Sequence, residues 1–270
     1  MSRRRLRGPR HGLRLARALL GSQYATMLEY RAEIALWALS GVLPLIMLAV
    51  WSQAGVTAAD GLDAGQLDRY FVAAFLVRQF TVVWVTYSFE EDQLHGRLSP
   101  WLLQPLQPLW RYVAAHVAEQ ATRLPFVLLF VGVIALVHPA ALWLPSPERL
   151  LLGVLATWLA FAVNFLLQSV ITMGCFWTER ASALDRLLFI PYLFLSGISA
   201  PLETFPEGVR RLALATPFPY LLHFPARVLA GESVDLLRGF AALLGWAALL
   251  LPLVLGLWRL GVRRYGAMGA

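Results

Sequence analysis

Residues 150–178 read LLLGVLATWLAFAVNFLLQSVITMGCFWT, the longest stretch of the sequence without a charged residue. A helix needs about 20 apolar residues to cross a hydrocarbon core about 30 Å thick. The stretch is long enough to do so, and it predicts a membrane-spanning helix. The fold class therefore depends on how many more such segments the chain contains.

Five further segments have a similar composition. Together they predict an all-α integral membrane protein with six spans, at about residues 34–54, 70–89, 113–137, 150–176, 183–200 and 236–258. The fifth span reaches the required length only by borrowing residues from Ser182 onward. Residues 212–226 are also apolar, but Pro217, Pro219 and Pro225 break a helix, and we predict that this stretch does not span.

The overall composition excludes several classes of protein. Of the 270 residues, 59% are hydrophobic and 14% are charged, whereas soluble globular chains carry about 25% charged residues. A soluble enzyme, a disordered protein and a disulfide scaffold are excluded. All 23 Lys and Arg positions are arginine, and a P-loop needs a lysine to reach the nucleotide phosphates. Any ATP-driven activity must therefore use an ATPase on another chain.

The arginines also predict the orientation. Most of them lie in segments that are cytoplasmic if the N-terminus is inside the cell. Segments that stay in the cytoplasm carry such an excess of basic residues. We predict a multi-pass protein of the bacterial cytoplasmic (inner) membrane with both termini cytoplasmic. The predicted parts are a basic amphipathic helix in residues 1–30, a transmembrane domain in residues 31–260 and a cytoplasmic tail in residues 261–270.

The basic helix before the first span has two possible roles. Arg10, Arg14 and Arg17 recur at helical spacing opposite Leu13 and Leu20, which is typical of an amphipathic helix lying in the membrane interface. It anchors the chain to anionic lipid, or it presents a surface to a cytoplasmic partner.

The segment between spans two and three, residues 90–109, reads EEDQLHGRLSPWLLQPLQPL. Three consecutive acids on the cytoplasmic side contribute nothing to positive-inside anchoring. A glycine, leucines and prolines follow, as in a short helix along the membrane surface that offers a polar face to a soluble protein. The alternative is a solvated loop that only returns the chain.

The segment between spans five and six alternates apolar pieces with prolines, beginning SGISAPLETFP at residues 196–206. This pattern predicts short helices that enter the outer leaflet partway, where irregular backbone must pack against protein or face water. The first alternative is that these helices form an external gate, for which the candidate residues are Ser196, Gly197, Pro201 and Phe205. The second is that they form a packed cap that seals the bundle.

A few polar or aromatic residues within the spans are candidates for a substrate pathway: Arg78, Gln79, Trp84, Asn164 and Gln168. The alternatives are that Arg78 extends to the outer headgroups and that Asn164 and Gln168 join helices by hydrogen bonds. Glu119 is the deepest acid, and we expect it to pair with Arg123 four residues later. That pairing argues against a proton-coupled antiporter.

Groups for catalysis or metal binding are not recognisable in the sequence. The five histidines are scattered without an HExxH pattern, and no GxSxG is present. Cys175 is the single cysteine and cannot form an internal disulfide. We predict neither a catalytic nor a metal site.

The order of these segments resembles the ABC-2 type permeases of ATP-driven exporters over about residues 10–260. The length and the spacing of Glu90 and Gly96 are most similar to the branch that includes bacterial viologen-exporter permeases. The resemblance is carried by residues in the two segments outside the spans: Glu90, Glu91, Gly96, Leu98, Leu102, Leu103 and Pro105, and Ser196, Gly197, Pro201, Leu202, Phe205, Pro206 and Pro217.

The resemblance implies a permease subunit, not an enzyme, that works with two copies of an ABC ATPase and a second permease, identical or a homologous sister. ATP and magnesium belong to the ATPase, so no cofactor is expected on this chain. Lipids are expected partners and nucleic acid is not. A short coupling helix within residues 90–106 would dock on the ATPase, the external segment would form re-entrant helices, and spans one and five would meet the partner permease. The implied coupling residues are Glu90, Glu91, Asp92, Leu94, Gly96, Arg97, Leu98, Arg14 and Arg17.

Two other classes stay open from the sequence. An ATP-independent secondary transporter or channel would have an internal repeat with broken spans at matching positions, and the sequence displays none. The second class is a membrane scaffold protein without transport activity. The aromatic-rich spans suit hydrophobic cations, drugs, lipids or glycoconjugates equally.

Overall fold

The structure, a computed structural model, describes residues 9–53, 63–178 and 180–268. Residues 1–8 of the predicted basic segment, residue 54 of the first predicted span and residues 269–270 of the predicted tail lie outside these ranges. Within them, every regular element is a helix, which confirms the all-α class. The α-helices are α1 (Pro9–Glu29), α2 (Arg31–Ser40), α3 (Leu43–Gln53), α4 (Ala64–Thr81), α5 (Val85–Leu94), α6 (Leu98–Leu102), α7 (Leu109–Val137), α8 (Pro147–Thr172), α9 (Cys175–Thr178), α10 (Ser182–Leu195), α11 (Glu207–Leu214), α12 (Phe218–Leu221), α13 (His223–Ala230) and α14 (Leu236–Met268).

Five helical stretches are long and apolar enough to cross a membrane: Ala32–Gln53, Ala64–Leu94, Leu109–Val137, Pro147–Thr178 and Leu236–Tyr265. They coincide with the first, second, third, fourth and sixth predicted spans. Large apolar side chains cover the outside of the bundle, and Leu136 and Leu237 are 86% and 82% exposed. A surface of this kind suits a lipid solvent. The chain is therefore a multi-pass membrane protein.

The fifth predicted span contains α10, which has 14 residues and is about 21 Å long at 1.5 Å per residue. The segment from Ser182 to Ser199 runs alongside the second and first spans. The Ser182 amide lies 2.9 Å from the Glu90 carboxylate at the end of α5. At the other end, the Trp51 indole donates to the Ser199 carbonyl at 3.1 Å.

The second span is broken, although the sequence predicts one helix over residues 70–89. Helix α4 ends at Thr81, residues 82–84 are not helical, and α5 begins at Val85. Neither proline nor glycine marks this position. The predicted span is present, but it is not one continuous helix, and side chains of neighbouring helices bind backbone groups that the break exposes.

The basic amphipathic segment forms α1, which packs along α7. Its Arg14 and Arg17 are exposed. At the other end of the chain, α14 continues without interruption to Met268, so most of the predicted tail is helical. Tyr265 of this extension contacts Ser99 of α6, with the two hydroxyl oxygens 2.8 Å apart.

The proline-rich stretch before the last span forms α11, α12 and α13, none of which has more than eight residues. None of them is among the described helices that are long and apolar enough to cross a membrane. Helix α13 packs against α4 and α8, and Ala226 and Val228 have no exposed surface. Helices α12 and α13 are thus part of the core at the end of the bundle opposite α6, whereas most of α11 is exposed.

Candidate functional site

Residues 90–98, which comprise the end of α5, the turn that follows it and the first residue of α6, are called here the acidic turn. Gly96 has φ +70°, a left-handed conformation that favours glycine at a helix C-terminus. The amide of Arg97 donates to the Asp92 carbonyl at 2.8 Å, and the Gly96 amide donates to the Gln93 carbonyl at 3.1 Å. These bonds satisfy carbonyls that the end of α5 would leave free, so the turn has a defined shape.

Charged side chains hold the same turn. Arg97 donates to Glu91 at 2.9 Å and to Asp92 at 2.5 Å, and these hydrogen bonds raise the pKa of the guanidinium. The Tyr112 hydroxyl of α7 donates to the second oxygen of Asp92 at 2.8 Å. The acidic turn is therefore attached to α7 through a buried carboxylate.

Glu90 makes contacts inside the chain. Its carboxylate accepts hydrogen bonds from the amides of Ala181 and Ser182 at 3.0 and 2.9 Å, where α10 begins. Leu98 is fully buried. The exposed residues from Glu90 to Leu103 are Glu91, Leu94, His95, Gly96, Arg97, Ser99, Pro100 and Leu103, and Leu103 is 89% exposed.

The break in the second span is surrounded by polar side chains of α7 and α8. Four of the backbone groups that it exposes have a side-chain partner at 2.7–3.0 Å: the Gln79 carbonyl with Arg123, the Phe80 carbonyl with Gln120, the Thr81 carbonyl with Asn164, and the Trp84 amide with His116. Unpaired backbone groups are costly in a membrane interior. These four contacts therefore explain how the broken helix is tolerated.

Three ionisable side chains of α7 lie beside the break, and each has a hydrogen-bond or ion-pair partner. His116 accepts from the Trp84 amide through Nε2, so its Nδ1 carries the proton donated to the Tyr112 carbonyl at 2.6 Å. Glu119 accepts from the Trp84 indole and pairs with Arg123, as expected from their spacing. Both members of this ion pair are buried, and neither is available as a free proton carrier.

A cavity of about 140 Å³, called here the midspan cavity, opens beside the break. It brings together three of the predicted pathway residues, namely Arg78, Asn164 and Gln168. The remaining lining side chains include Asp185, Leu188, Phe189, Tyr192 and Phe218. The cavity thus lies between the second, fourth and fifth predicted spans.

The other two predicted pathway residues lie outside this cavity. Gln79 is buried and donates to the Ala38 carbonyl of α2 at 3.1 Å. Trp84 stacks on His116, with the ring centroids 4.2 Å apart. Both contacts join helices, so these side chains hold the break in shape.

The sequence analysis overlooked three lining residues on α10: Asp185, Phe189 and Tyr192. They follow one another at i, i+4 and i+7, which places them on one helix face. This spacing is visible in the sequence, whereas the prediction of the fifth span rests on its length alone.

Two buried polar atoms of cavity-lining residues lack a hydrogen-bond partner among the described residues: Arg78 Nε and Gln168 Oε1. Arg78 donates through Nη1 to the Tyr192 hydroxyl at 3.3 Å and lies over the Tyr192 ring, 5.7 Å from its centroid. The arginine thus contacts α10 within the protein rather than extending along the lipid-facing surface. Asn164 joins α8 to the broken span, as the helix-joining alternative predicted.

The four candidates for an external gate lie at the opposite end of the bundle. Gly197 has φ +85°, and its carbonyl accepts from the Tyr70 hydroxyl at 2.7 Å. A Cβ atom there would lie 2.4 Å from the tyrosine oxygen. Ser196 and Pro201 are buried and Phe205 is partly buried.

Glu203, on the turn between Pro201 and Phe205, connects this region to α13. Its carboxylate lies 3.4 Å from His223 Nε2 and 2.5 Å from Arg227. Partial burial works to raise the pKa of Glu203, but the hydrogen bond and charge of His223 and the charge of Arg227 outweigh it and lower the pKa to about 2. The gate candidates are thus packed in a network of polar contacts.

In the described ranges, no three His, Cys, Asp or Glu residues are grouped so that they could hold a metal ion.

No individually curated protein gives a significant match to the chain. Residues 64–269, however, match the family described as ABC-2 family transporter protein. Members of this family are membrane components of transporters that normally partner with an ABC ATPase. The match covers well over half of the sequence and includes the acidic turn, the broken span and the midspan cavity, so the chain belongs to the ABC-2 transporter family.

Proposed function

We propose that the chain is the transmembrane permease subunit of an ATP-driven ABC exporter and forms half of its translocation pathway. ATP hydrolysis takes place on a separate ATPase subunit, present in two copies, which also binds ATP and magnesium. The family assignment and the absence of lysine from the sequence support this division of labour.

The acidic turn and α6 are the proposed docking surface for that ATPase. The observation that carries the proposal is a turn of fixed shape with protruding side chains. Gly96 and the Arg97 ion pairs hold the backbone, while Leu94 and Leu103 are 53% and 89% exposed. Exposed apolar side chains on a rigid element are typical of protein interfaces. Arg14 and Arg17 are exposed on α1, which packs along α7, and they extend the proposed surface.

A displacement of the acidic turn would reach the membrane interior through two contacts. Asp92 connects the turn to Tyr112 of α7, and Glu90 connects it to Ser182 of α10. The break at residues 82–84 allows α5 to tilt relative to α4 without bending a continuous helix. We infer that α5 and α10 move together when the ATPase changes conformation.

The fifth crossing is proposed to be α10 with residues 196–199. This segment contacts Glu90 and Arg78 of the second span and, near its other end, Trp51 of the first span. Six crossings then place both termini in the cytoplasm of a bacterium, with α11–α13 as external re-entrant helices. A second permease, identical or a sister, completes the pathway.

A matched pair of exposed leucines tests the proposed docking surface. Leu103 on the proposed docking surface is 89% exposed, and Leu144 between the third and fourth spans is 96% exposed. We expect Leu103→Glu to abolish co-purification with an ABC ATPase and the ATP hydrolysis of the isolated complex, while Leu144→Glu leaves both unchanged. The complex would be solubilised gently from its native membrane and identified by mass spectrometry.

Recovery of the chain without any ATPase, under conditions that preserve known transporter complexes, would overturn the proposal. The ATP-independent transporter or channel would then be favoured. Equal effects of the two leucine variants would instead contradict the assignment of the docking surface while leaving the ATPase partnership intact.

A further inference from the structure

We propose that the midspan cavity binds a small zwitterionic group, with its anionic end at Arg78 and its cationic end at Asp185. The proposal names the class of molecule that the permease would carry and so rests on the proposed function. Binding itself is measured without an ATPase, and the two proposals can therefore fail separately.

The two charges lie at different depths of the cavity. Arg78 contacts Tyr192, and Asp185 precedes Tyr192 by seven residues on α10, which corresponds to about 10 Å along the helix. Asp185 interacts with the Tyr87 hydroxyl on the other side of the break. Among the described residues, neither Arg78 nor Asp185 belongs to an ion pair. The cavity thus has a positive and a negative end.

The unpaired atoms indicate what a ligand has to supply. Arg78 Nε is a donor without an acceptor, and Gln168 Oε1 is an acceptor without a donor. An anionic group satisfies the arginine, and an ammonium group satisfies both Gln168 and Asp185. A molecule carrying only positive charge would meet the arginine unfavourably, and an apolar one would leave both atoms unpaired.

The size of the cavity limits the ligand. A volume of about 140 Å³ is close to that of an engineered protein cavity that holds benzene, so it accepts about six to eight non-hydrogen atoms. The zwitterion 4-aminobutanoate has seven, and its charged ends are about 5 Å apart. Two hydrogen bonds of about 2.8 Å extend its reach to about 10 Å, which is similar to the helical rise between Asp185 and Tyr192. A phosphatidylethanolamine headgroup has the same pair of charges and is a second source of this chemistry.

The experiment measures binding of radiolabelled 4-aminobutanoate to the purified full-length chain in lipid nanodiscs. Butanoate and butylammonium, with the same four-carbon chain, serve as competitors. We expect each to compete at least tenfold less well than the zwitterion. Arg78→Gln and Asp185→Asn should each weaken binding at least tenfold, whereas Arg210→Gln, which changes a half-exposed arginine outside the cavity, should change it less than twofold.

A charge-specific readout separates lost binding from misfolding. Arg78→Lys keeps the positive charge and should keep the preference for the zwitterion. Arg78→Gln should retain competition by butylammonium, and Asp185→Asn should retain competition by butanoate. A variant that loses every ligand equally would point to misfolding and would count against the assigned roles.

A lipid arm distinguishes the two sources. If 4-aminobutanoate does not bind but short-chain phosphatidylethanolamine does, and Arg78→Gln weakens it tenfold, the ligand is a lipid headgroup. Short-chain phosphatidylglycerol, which lacks the ammonium, is the matched control and should bind at least tenfold less well. The proposal is overturned if a singly charged compound binds as well as the zwitterions, or if no zwitterion binds from either source.

Discussion

Glu90→Ala is predicted to destabilise the start of α10, although the resemblance to exporter permeases places Glu90 in the coupling surface. The carboxylate accepts from the amides of Ala181 and Ser182 at 3.0 and 2.9 Å and is 3.3 Å from the Ser182 hydroxyl. Ser182 is itself buried. Removing the acceptor leaves two helix N-terminal amides without a partner.

The magnitude follows from these contacts. Hydrogen bonds to a charged group contribute about 1.5–3 kcal/mol each, and loss of a helix N-terminal acceptor costs about 1 kcal/mol in measured cases. The bonds share one carboxylate and water can reach part of the site, so we expect about 3 kcal/mol in total. A change of that size shifts an opening equilibrium about 100-fold.

The single cysteine supplies the assay. Cys175 is 1% exposed and belongs to the same buried cluster as Ala181, so it reacts with a maleimide only when this region opens. Under conditions where opening is fast compared with alkylation, the rate reports the equilibrium population of the open form. Glu90→Ala should accelerate alkylation of the chain, purified without an ATPase, about 100-fold.

Glu91→Ala is the matched control. Its side chain is 62% exposed and pairs only with Arg97, which is 45% exposed. Exposed pairs contribute about 0–1 kcal/mol, so we expect less than a fivefold change in the alkylation rate. Equal rates for Glu90→Ala and the unchanged protein would refute the reasoning, because Glu90 would then be free to contact the ATPase directly.

Three further predictions concern the other sites. Gly197→Ala should lower the unfolding free energy by about 3 kcal/mol, because the backbone is left-handed and the new Cβ would displace the Tyr70 hydroxyl. The shift in the thermal unfolding midpoint measures this loss of stability, and an unchanged midpoint would contradict the need for glycine. Asn164→Leu should cost about 1–3 kcal/mol, because the Thr81 carbonyl loses its donor at the break; the same thermal assay would disprove this if Asn164→Leu were neutral. The pKa of Glu203 is lowered to about 2, so the ionised carboxylate stabilises the fold by about 1–2 kcal/mol after a discount for partial exposure. This stabilisation is present above about pH 4.5 and is lost as the pH falls toward 2. Glu203→Gln should remove this part of the pH dependence of unfolding, and an unaltered profile would show that the carboxylate does not titrate with folding.

The predicted spans agree with the structure where hydrophobicity alone decides. The span over residues 150–178, formed by α8 and α9, needs no tertiary information, because only a membrane accommodates such an uncharged length. The pairing of Glu119 with Arg123 was accessible in the same way, since it depends on spacing along one helix.

The break in the second span was not accessible, because its cause lies elsewhere in the sequence. The stretch TVVWV at residues 81–85 has no helix-breaking residue. The non-helical conformation is made possible by Gln120 and Arg123 of α7 and by Asn164 of α8, which lie about 40 to 80 positions further along the chain. Sequence patterns report local preference, whereas here tertiary hydrogen bonds override it. The inward contacts of Glu90 and Asp92 escaped prediction for the same reason.

The break also suggests how docking and ligand binding could be coupled. Arg78 lies on α4, before the break, whereas Asp185 lies on α10, which is attached to α5 beyond the break through Glu90. Tilting α5 and α10 together would change the separation of the two charges and disrupt the 3.3 Å contact between Arg78 and Tyr192. A zwitterion that spans both charges would then bind the two conformations with different affinities. A ligand can shift a conformational equilibrium only by binding the two conformations with different affinities. By the same linkage, a docked ATPase that favours one conformation would change the affinity of the cavity for the ligand.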